Sequence, residues 1–142
     1  MTVDDRLLDF VAGRRWAVLA TVKRDGRPQL SNVGYAYDPA QRLFRVSVTA
    51  DRAKTRNLQA DPRVTLHVSS EDFWSWAAVE GTAELTPAAA DPHDATVEEL
   101  VAYYRGISGE HPDWDDYRRA MVADRRLVVR FTPEHAYGQV RS

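Results

Sequence analysis

The fold is decided by residues 16–49, which read WAVLATVKRDGRPQLSNVGYAYDPAQRLFRVSVT. Three runs in this stretch have the composition and alternation of β-strands: Trp16–Val22, Gln29–Tyr37 and Leu43–Thr49. The first connection contains the pair Asp25-Gly26, a strong signal for a tight hairpin, and the second, Asp38–Gln41, is equally short. Because parallel strands need long crossover connections, these turns predict an antiparallel meander.

The remaining apolar patterns predict three more strands and four helices. The strands are Val64–Ser69, Phe73–Leu85, with a bulge expected at Gly81, and Arg126–Thr132. The helices are Val3–Ala12, a short basic helix over about 51–61, Thr96–Ile107 and Asp113–Ala123. This mainly β pattern predicts a six-stranded antiparallel barrel with appended helices, and the 142 residues, 1–142, are expected to form a single domain.

Composition restricts the classes of function. The chain has no cysteine, which excludes disulfides and thiol catalysis. The N-terminus is charged rather than apolar, and no apolar run reaches the ~20 residues of a membrane span, so a cytoplasmic protein without a membrane partner is expected. Residues 1–63 carry 12 Lys and Arg against 7 Asp and Glu, whereas residues 64–142 carry 7 against 14. That asymmetry suits a small anionic ligand or head-to-tail subunits, and the absence of a long basic stripe argues against nucleic acid.

The segment Asp51–Leu58, DRAKTRNL, carries three cations at the start of its predicted helix. A helix N-terminus favours anions through its free N–H groups and its dipole. Arg binds phosphate through two N–H groups at once, and Lys adds a mobile charge. The segment therefore indicates a phosphate site, and a solvated basic helix start is the alternative that the segment alone leaves open.

Polar residues alternate along the second strand. Gln29, Ser31 and Val33 are expected on one face, and Leu30 and Asn32 on the other. Side chains that both donate and accept hydrogen bonds suit the edge of a flat heteroaromatic ring. An edge strand facing solvent would explain the same residues.

No side chain has the setting of an acid, base or nucleophile, so the catalytic residues stay unknown. Four histidines, at positions 67, 93, 111 and 135, lack the spacing of metal ligands, so no metal site is predicted. Trp74 and Trp76 are expected on one strand face, where they could stack on a ligand, form a subunit interface or fill the core. If the protein is an enzyme, a bound cofactor is expected to carry the chemistry.

Several segments together resemble a known family. They are VLATV at 18–22, DGRPQLSN at 25–32, RAKTRNL at 52–58, WSWA at 74–77, EGTAELTP at 80–87 and DWDDYRRAMV at 113–122. Their order and spacing resemble the flavin- and deazaflavin-dependent oxidoreductases of the split β-barrel superfamily, the group around pyridoxamine 5′-phosphate oxidase. Within it, the chain looks most like the actinobacterial branch that uses coenzyme F420.

The resemblance implies a homodimeric split β-barrel that binds its cofactor in a groove between the subunits. Arg52 and Lys54 would bind the cofactor phosphate, helped by Thr55, Arg56 and Asn57. The ring would be lined by Gln29, Ser31 and Asn32 and supported by Ser47 and Val48. Trp74, Trp76 and Ala77 would come from the partner subunit or close the site. Asn57 and Leu58 have an alternative role, as cap and core anchor.

F420 differs from FMN by a lactyl-oligoglutamate tail that carries several carboxylates. Five further cations are available for such a tail: Arg14, Arg15, Lys23, Arg24 and Arg27. Each exposed ion pair contributes only about 0.2–1 kcal/mol, so discrimination against FMN would need several of them together.

The expected function is that of an F420-dependent reductase. It would transfer a hydride from C5 of the reduced cofactor to an activated alkene, quinone, nitro compound or tetrapyrrole. One alternative is an FMN-dependent enzyme like pyridoxamine 5′-phosphate oxidase, although residues 134–142 lack the Arg-x-His ending that would hold pyridoxal phosphate. The other is a protein that binds F420 or haem without catalysis.

Overall fold

The computed structural model describes residues 3–141. Its helices are α1 (Asp5–Ala12), α2 (Ala53–Ala60), α3 (Ala95–Ser108) and α4 (Trp114–Ala123). Its strands are β1 (Trp16–Val22), β2 (Pro28–Gly34), β3 (Ala36–Asp38), β4 (Leu43–Thr49), β5 (Arg63–Ser69), β6 (Trp76–Thr82), β7 (Glu84–Leu85), β8 (Arg126–Phe131) and β9 (His135–Gln139). None of these helices is long and apolar enough to cross a bilayer.

The strands form two antiparallel sheets. One has five strands in the order β2-β1-β5-β6-β9, and the other has four in the order β3-β4-β8-β7. The predicted hairpin joins β1 to β2: the Lys23 N–H donates to the Arg27 carbonyl at 2.8 Å, and Gly26 has the positive φ of 88° that such a turn needs. The antiparallel meander predicted from residues 16–49 is thereby confirmed.

The predicted strand Gln29–Tyr37 is divided at Tyr35. The Tyr35 side chain is buried, its hydroxyl donates to the Val11 carbonyl, and its N–H donates to the Arg15 carbonyl at 2.9 Å. These bonds anchor the chain where it passes from the five-stranded sheet (β2) to the four-stranded one (β3). Alternation alone does not reveal such a crossing.

The predicted strand Phe73–Leu85 is shorter than expected and is also divided. Phe73 has a φ of 74°, and the Asp72 carboxylate accepts the Trp74 N–H at 3.0 Å, so residues 72–74 form a turn and β6 begins only at Trp76. The expected bulge at Gly81 is wrong, because the β5–β6 register runs through it without interruption. A Cβ atom there would lie 2.6 Å from the Thr132 carbonyl oxygen, so the glycine permits a close approach.

The six-strand expectation becomes nine strands in the described residues. Two predicted strands are each divided, and residues 135–139, expected to be a tail, form β9 on the edge of β6. This short edge strand is largely exposed, so it lacks the buried alternation that marks the other strands.

The core lies between the two sheets. Its fully buried members include Leu19, Phe44, Val46, Leu66 and Val79. Helices α3 and α4 cover the outer face of the four-stranded sheet through a second cluster that contains Val97, Leu100, Tyr117 and Val128. The outer face of the five-stranded sheet, in contrast, leaves large apolar side chains open: Trp16 is 65% exposed and Leu30 61%.

Candidate functional site

Three cations meet where α2 begins. Burial lowers the pKa of Lys54, and the charges of Arg52 and Arg126 lower it further, which places the three cations within electrostatic reach of one another. Neither Arg52 nor Lys54 forms a salt bridge with any carboxylate of residues 3–141. We call Arg52, Lys54 and Arg126 the basic cluster. Uncompensated positive charge of this kind favours an anionic ligand.

Arg126 was not predicted from the sequence. It opens β8 directly opposite Thr49 of β4, and its Nη1 lies 3.4 Å from the Ser47 hydroxyl oxygen. Its Nε and the Thr49 hydroxyl oxygen are both buried without a hydrogen-bond partner in the described part of the chain. The Asp124 carboxylate, 4.0 Å from Nε, is too far away for a hydrogen bond. Arg126 is far from α2 in the sequence and comes close to it because β8 pairs with β4 in this register.

The other predicted residues of α2 make contacts within the protein. The Thr55 hydroxyl is buried and donates to the Thr49 carbonyl at 2.7 Å. The Asn57 amide donates to the Thr21 hydroxyl at 3.1 Å, and Arg56 donates to the Asp51 carbonyl. These contacts agree with the structural alternative stated for Asn57.

Two predicted site residues point inward, one expected to support the ring (Val48) and one expected to close the site (Ala77). Val48 and Ala77 are both buried in the core between the sheets, at 1% and 0% exposure. Ser47, the neighbour of Val48, faces the opposite side of β4 and lies beside Arg126. Of the two predicted β4 residues, Ser47 is therefore the one placed to meet a ligand.

The alternation predicted along β2 is present, and it separates the polar residues. Gln29 and Ser31 are half-buried on the inner face, paired with Thr21 and Leu19, near the edge where β2 approaches β4. Asn32 is exposed on the outer face. The three residues expected around one ring thus lie on two faces of the strand.

Two adjoining cavities lie on the outer face of the five-stranded sheet. The larger, about 540 Å³, is lined by residues that include Trp16, Asn32, Gly34, His67 and Ser69. The smaller, about 380 Å³, is lined by His67, Ser69, Phe73, Trp74, Trp76 and Gln139. Because they share His67 and Ser69, we treat them as one trough. Its volume is in the range of small-molecule sites.

The aromatic end of the trough differs from the expectation that Trp74 and Trp76 share a strand face. Trp74 lies in the turn before β6 and is 61% exposed, whereas Trp76 opens the strand. Trp76 stacks on His67, with ring centroids 5.5 Å apart and planes 18° apart. Both tryptophans still line the same cavity.

Tyr103 of α3 connects the trough to the basic cluster. Its hydroxyl donates to the Gly34 carbonyl at 3.0 Å. Burial raises the pKa of Tyr103, which keeps the hydroxyl protonated as a donor at neutral pH. Gly34 lines the trough, and the charge of Arg126 acts on Tyr103, so the trough and the cluster both lie close to this one side chain.

The five cations considered for an anionic tail do not form one patch. Lys23, Arg24 and Arg27 lie in the β1–β2 hairpin, at the end of β1 where Asn57 of α2 contacts Thr21. Arg14 and Arg15 precede the opposite end of β1, roughly 20 Å away at about 3.3 Å per residue. Only the hairpin cations can extend the positive charge of α2.

Comparisons with known proteins agree with the resemblance seen in the sequence. An F420H2-dependent biliverdin reductase from Mycobacterium tuberculosis (strain CDC 1551 / Oshkosh) is 32% identical over 81 residues, which span 57% of this chain and 58% of that protein. A solved F420 reductase is 27% identical with a TM-score of 0.64, covering 91% of this chain and 94% of its own.

The fold itself is shared more widely. A conserved hypothetical protein of Mycobacterium tuberculosis superimposes with a TM-score of 0.72 over 97% of this chain and 84% of its own, at 23% identity. The family model of pyridoxamine 5′-phosphate oxidase matches residues 3–139. The chain therefore belongs to the pyridoxamine 5′-phosphate oxidase family, as its sequence predicts.

Proposed function

We propose that this protein is an F420-dependent reductase that delivers a hydride to a small electrophilic acceptor. The observation that carries the proposal is the basic cluster, which adjoins a trough large enough for a ring system. A cofactor with a phosphate at one end and a tricyclic ring at the other matches that arrangement. Two of the similar proteins, an F420H2-dependent biliverdin reductase and an F420 reductase, support the deazaflavin over other flavins.

The donor set fits the phosphate of such a cofactor. Arg52 and Lys54 supply charge from α2, and Arg126 supplies a guanidinium whose Nε has no hydrogen-bond partner among residues 3–141. A buried donor without a partner costs about 1–3 kcal/mol, and a phosphate oxygen or an ordered water could satisfy it. Binding an anion would also relieve the repulsion among the three cations.

The chain's own residues would orient the reactants. When bound, reduced deazaflavin supplies a hydride from C5. Asn32 offers both a donor and acceptors to the ring edge in the larger cavity. His67 is the ionisable side chain among those that line the described trough, and in its imidazolium form it can give a proton to the acceptor and become neutral imidazole.

The preference for F420 over FMN would arise from contacts with the part of the cofactor outside its ring system. The hairpin side chains Lys23, Arg24 and Arg27 form no salt bridge within residues 3–141. The Asp25 carboxylate accepts the Arg27 N–H at 3.0 Å and so is engaged within the hairpin. The three cations would attract the carboxylates of an oligoglutamate tail that leaves the phosphate along α2.

A second copy of the chain would complete the site. The outer face of the five-stranded sheet holds both the trough and the exposed side chains of Trp16 and Leu30. Large exposed apolar side chains that lie together on one face of a sheet are typical of a subunit interface. We propose that the homodimer forms there and closes the open side of the trough.

Turnover of reduced F420 tests the proposed reaction. Purified protein should oxidise it in the presence of at least one quinone, nitro compound, activated alkene or tetrapyrrole. His67→Gln should lower kcat by about 100-fold, within the range of general acid catalysis, with an unchanged Kd for F420. His135→Gln, at an exposed histidine of β9, is the matched control. No turnover with any acceptor, or peroxide release with FMN and pyridoxamine 5′-phosphate, would contradict the proposal.

A further inference from the structure

We infer that the acceptor is a planar conjugated molecule that carries a carboxylate, and that it binds at the aromatic end of the trough. This inference rests on the proposed function in one respect only, that the bound molecule is the one reduced. The site consists of aromatic side chains on a hydrogen-bonded turn and an arginine, Arg141, that lies against one of them.

The backbone turn that carries the exposed aromatic surface is held by hydrogen bonds. Phe73 and Trp74 are 76% and 61% exposed, yet the turn that carries them is fixed by Asp72, which accepts the Ser70 hydroxyl at 2.6 Å and the Trp74 N–H at 3.0 Å. Large exposed aromatic faces on a hydrogen-bonded turn suit stacking on a flat ligand.

The C-terminal segment places an arginine against this surface. The Arg141 N–H donates to the Ser75 hydroxyl at 2.8 Å, and the Gln139 amide donates to the Trp74 carbonyl at 3.1 Å. The guanidinium carbon of Arg141 then lies 5.5 Å from the centre of the Trp74 ring. A cation held on the rim of an aromatic cavity is positioned to bind an acidic substituent of a stacked ligand.

A second cation lies within electrostatic reach of the same turn. Arg14 packs 4.5 Å from the centre of the Phe10 ring, and both it and Arg141 act electrostatically on the Asp72 carboxylate. Neither guanidinium has a carboxylate within 4.0 Å in the described part of the chain. Asp72 accepts hydrogen bonds from Ser70 and Trp74 and from neither arginine, so the Arg141 guanidinium can bind a ligand carboxylate.

The position also suits transfer between two bound molecules. The aromatic cavity shares His67 and Ser69 with the larger cavity, so a molecule in one lies beside a molecule in the other. A flat acceptor on Trp74 and Trp76 would thus be next to the proposed ring site at Asn32. The charge on the rim would favour anionic acceptors over neutral ones of equal shape.

A pair of probes of nearly equal shape isolates the charge. Anthraquinone-2-carboxylate and the neutral anthraquinone-2-carboxamide are titrated against the full-length protein, without and with saturating F420, by quenching of tryptophan fluorescence. We expect the carboxylate to bind about tenfold more tightly, as one charge-assisted hydrogen bond would give. In Arg141→Gln that preference should fall to about threefold or less, with the carboxamide affinity unchanged. Arg119→Gln, at an exposed arginine of α4, should behave as wild type.

The outcomes separate this inference from the proposed function. Equal affinities in the wild type, or a preference that survives in the Arg14→Gln/Arg141→Gln double variant, overturn the inference whether or not reduced F420 is consumed. A carboxylate preference that is lost in Arg141→Gln, in a protein that oxidises no reduced F420, supports the anion site and overturns only the reductase proposal.

Discussion

Thr49 and Arg126 face each other across β4 and β8, and each keeps a buried polar atom, Oγ1 and Nε, that no group of the described chain satisfies. Such atoms are rare because each costs about 1–3 kcal/mol. Here they lie beside Lys54, a lysine whose pKa is lowered by burial and by two arginines. These unfavourable features, two unsatisfied polar atoms and a lysine with a lowered pKa, are explained together if they form an anion-binding site.

Arg126 should contribute directly to cofactor binding. Arg126→Gln is expected to raise the Kd for F420 and for FMN by about tenfold or more, because a hydrogen bond to a charged group is worth about 1.5–3 kcal/mol. Titration of cofactor fluorescence measures this. Arg125→Gln, at the neighbouring position, is the control, and an unchanged Kd in Arg126→Gln would remove Arg126 from the site.

Replacing Lys54 should stabilise the folded protein but weaken cofactor binding. Its depressed pKa means that the charged form is less favourable in the folded protein than in the unfolded one, so the charge opposes folding at neutral pH. Lys54→Met should therefore raise the Tm of the cofactor-free protein at pH 7 while it weakens F420 binding. The gain should fade as the pH approaches about 10.4, the ordinary lysine pKa. A lower Tm at pH 7, measured by calorimetry, would contradict this account of Lys54.

The subunit interface can be tested at Leu30. This side chain is 61% exposed on the outer face of the five-stranded sheet. Leu30→Glu places a charge in the proposed interface and is expected to yield monomers in light scattering coupled to size-exclusion chromatography, with far-UV circular dichroism unchanged. Gln41→Glu adds the same charge in the exposed β3–β4 turn and should leave the dimer intact. A Leu30→Glu protein that remains dimeric would move the interface elsewhere.

Gly81 should tolerate no side chain. A Cβ atom would lie 2.6 Å from the Thr132 carbonyl oxygen and 2.7 Å from the Phe131 ring, so Gly81→Ala is expected to lower the free energy of unfolding by about 1–3 kcal/mol. Gly13→Ala, whose nearest contact would be at 4.0 Å, should change it little. Urea denaturation of both variants gives the comparison, and equal stabilities would show that the strands can separate at Gly81.

The fold was largely predictable because its decisive signals are local. The Asp25-Gly26 turn and the alternating runs around it fix the antiparallel meander. The predictions that fail do so where a tertiary or turn contact overrides the pattern. Tyr35 divides one predicted strand by bonding to Val11 and Arg15, and Asp72 holds Trp74 in a turn.

The candidate site was predictable only in part, for a related reason. Arg52 and Lys54 are visible because they stand in one short basic segment. Arg126 reaches them through strand register, and Tyr103 through the packing of α3, neither of which leaves a local sequence signal. His67 is visible as a strand residue, but its place in the trough depends on which face of β5 it occupies.

Side-by-side fluorescence titrations with oxidised F420 and FMN test the central claim most directly. The account predicts tighter, salt-sensitive binding of F420, loss of both cofactors in Arg52→Ala/Lys54→Ala, and selective loss of the F420 advantage in Lys23→Ala/Arg24→Ala/Arg27→Ala. Tighter binding of FMN, or F420 binding that is unaffected by Arg52→Ala/Lys54→Ala, would contradict it.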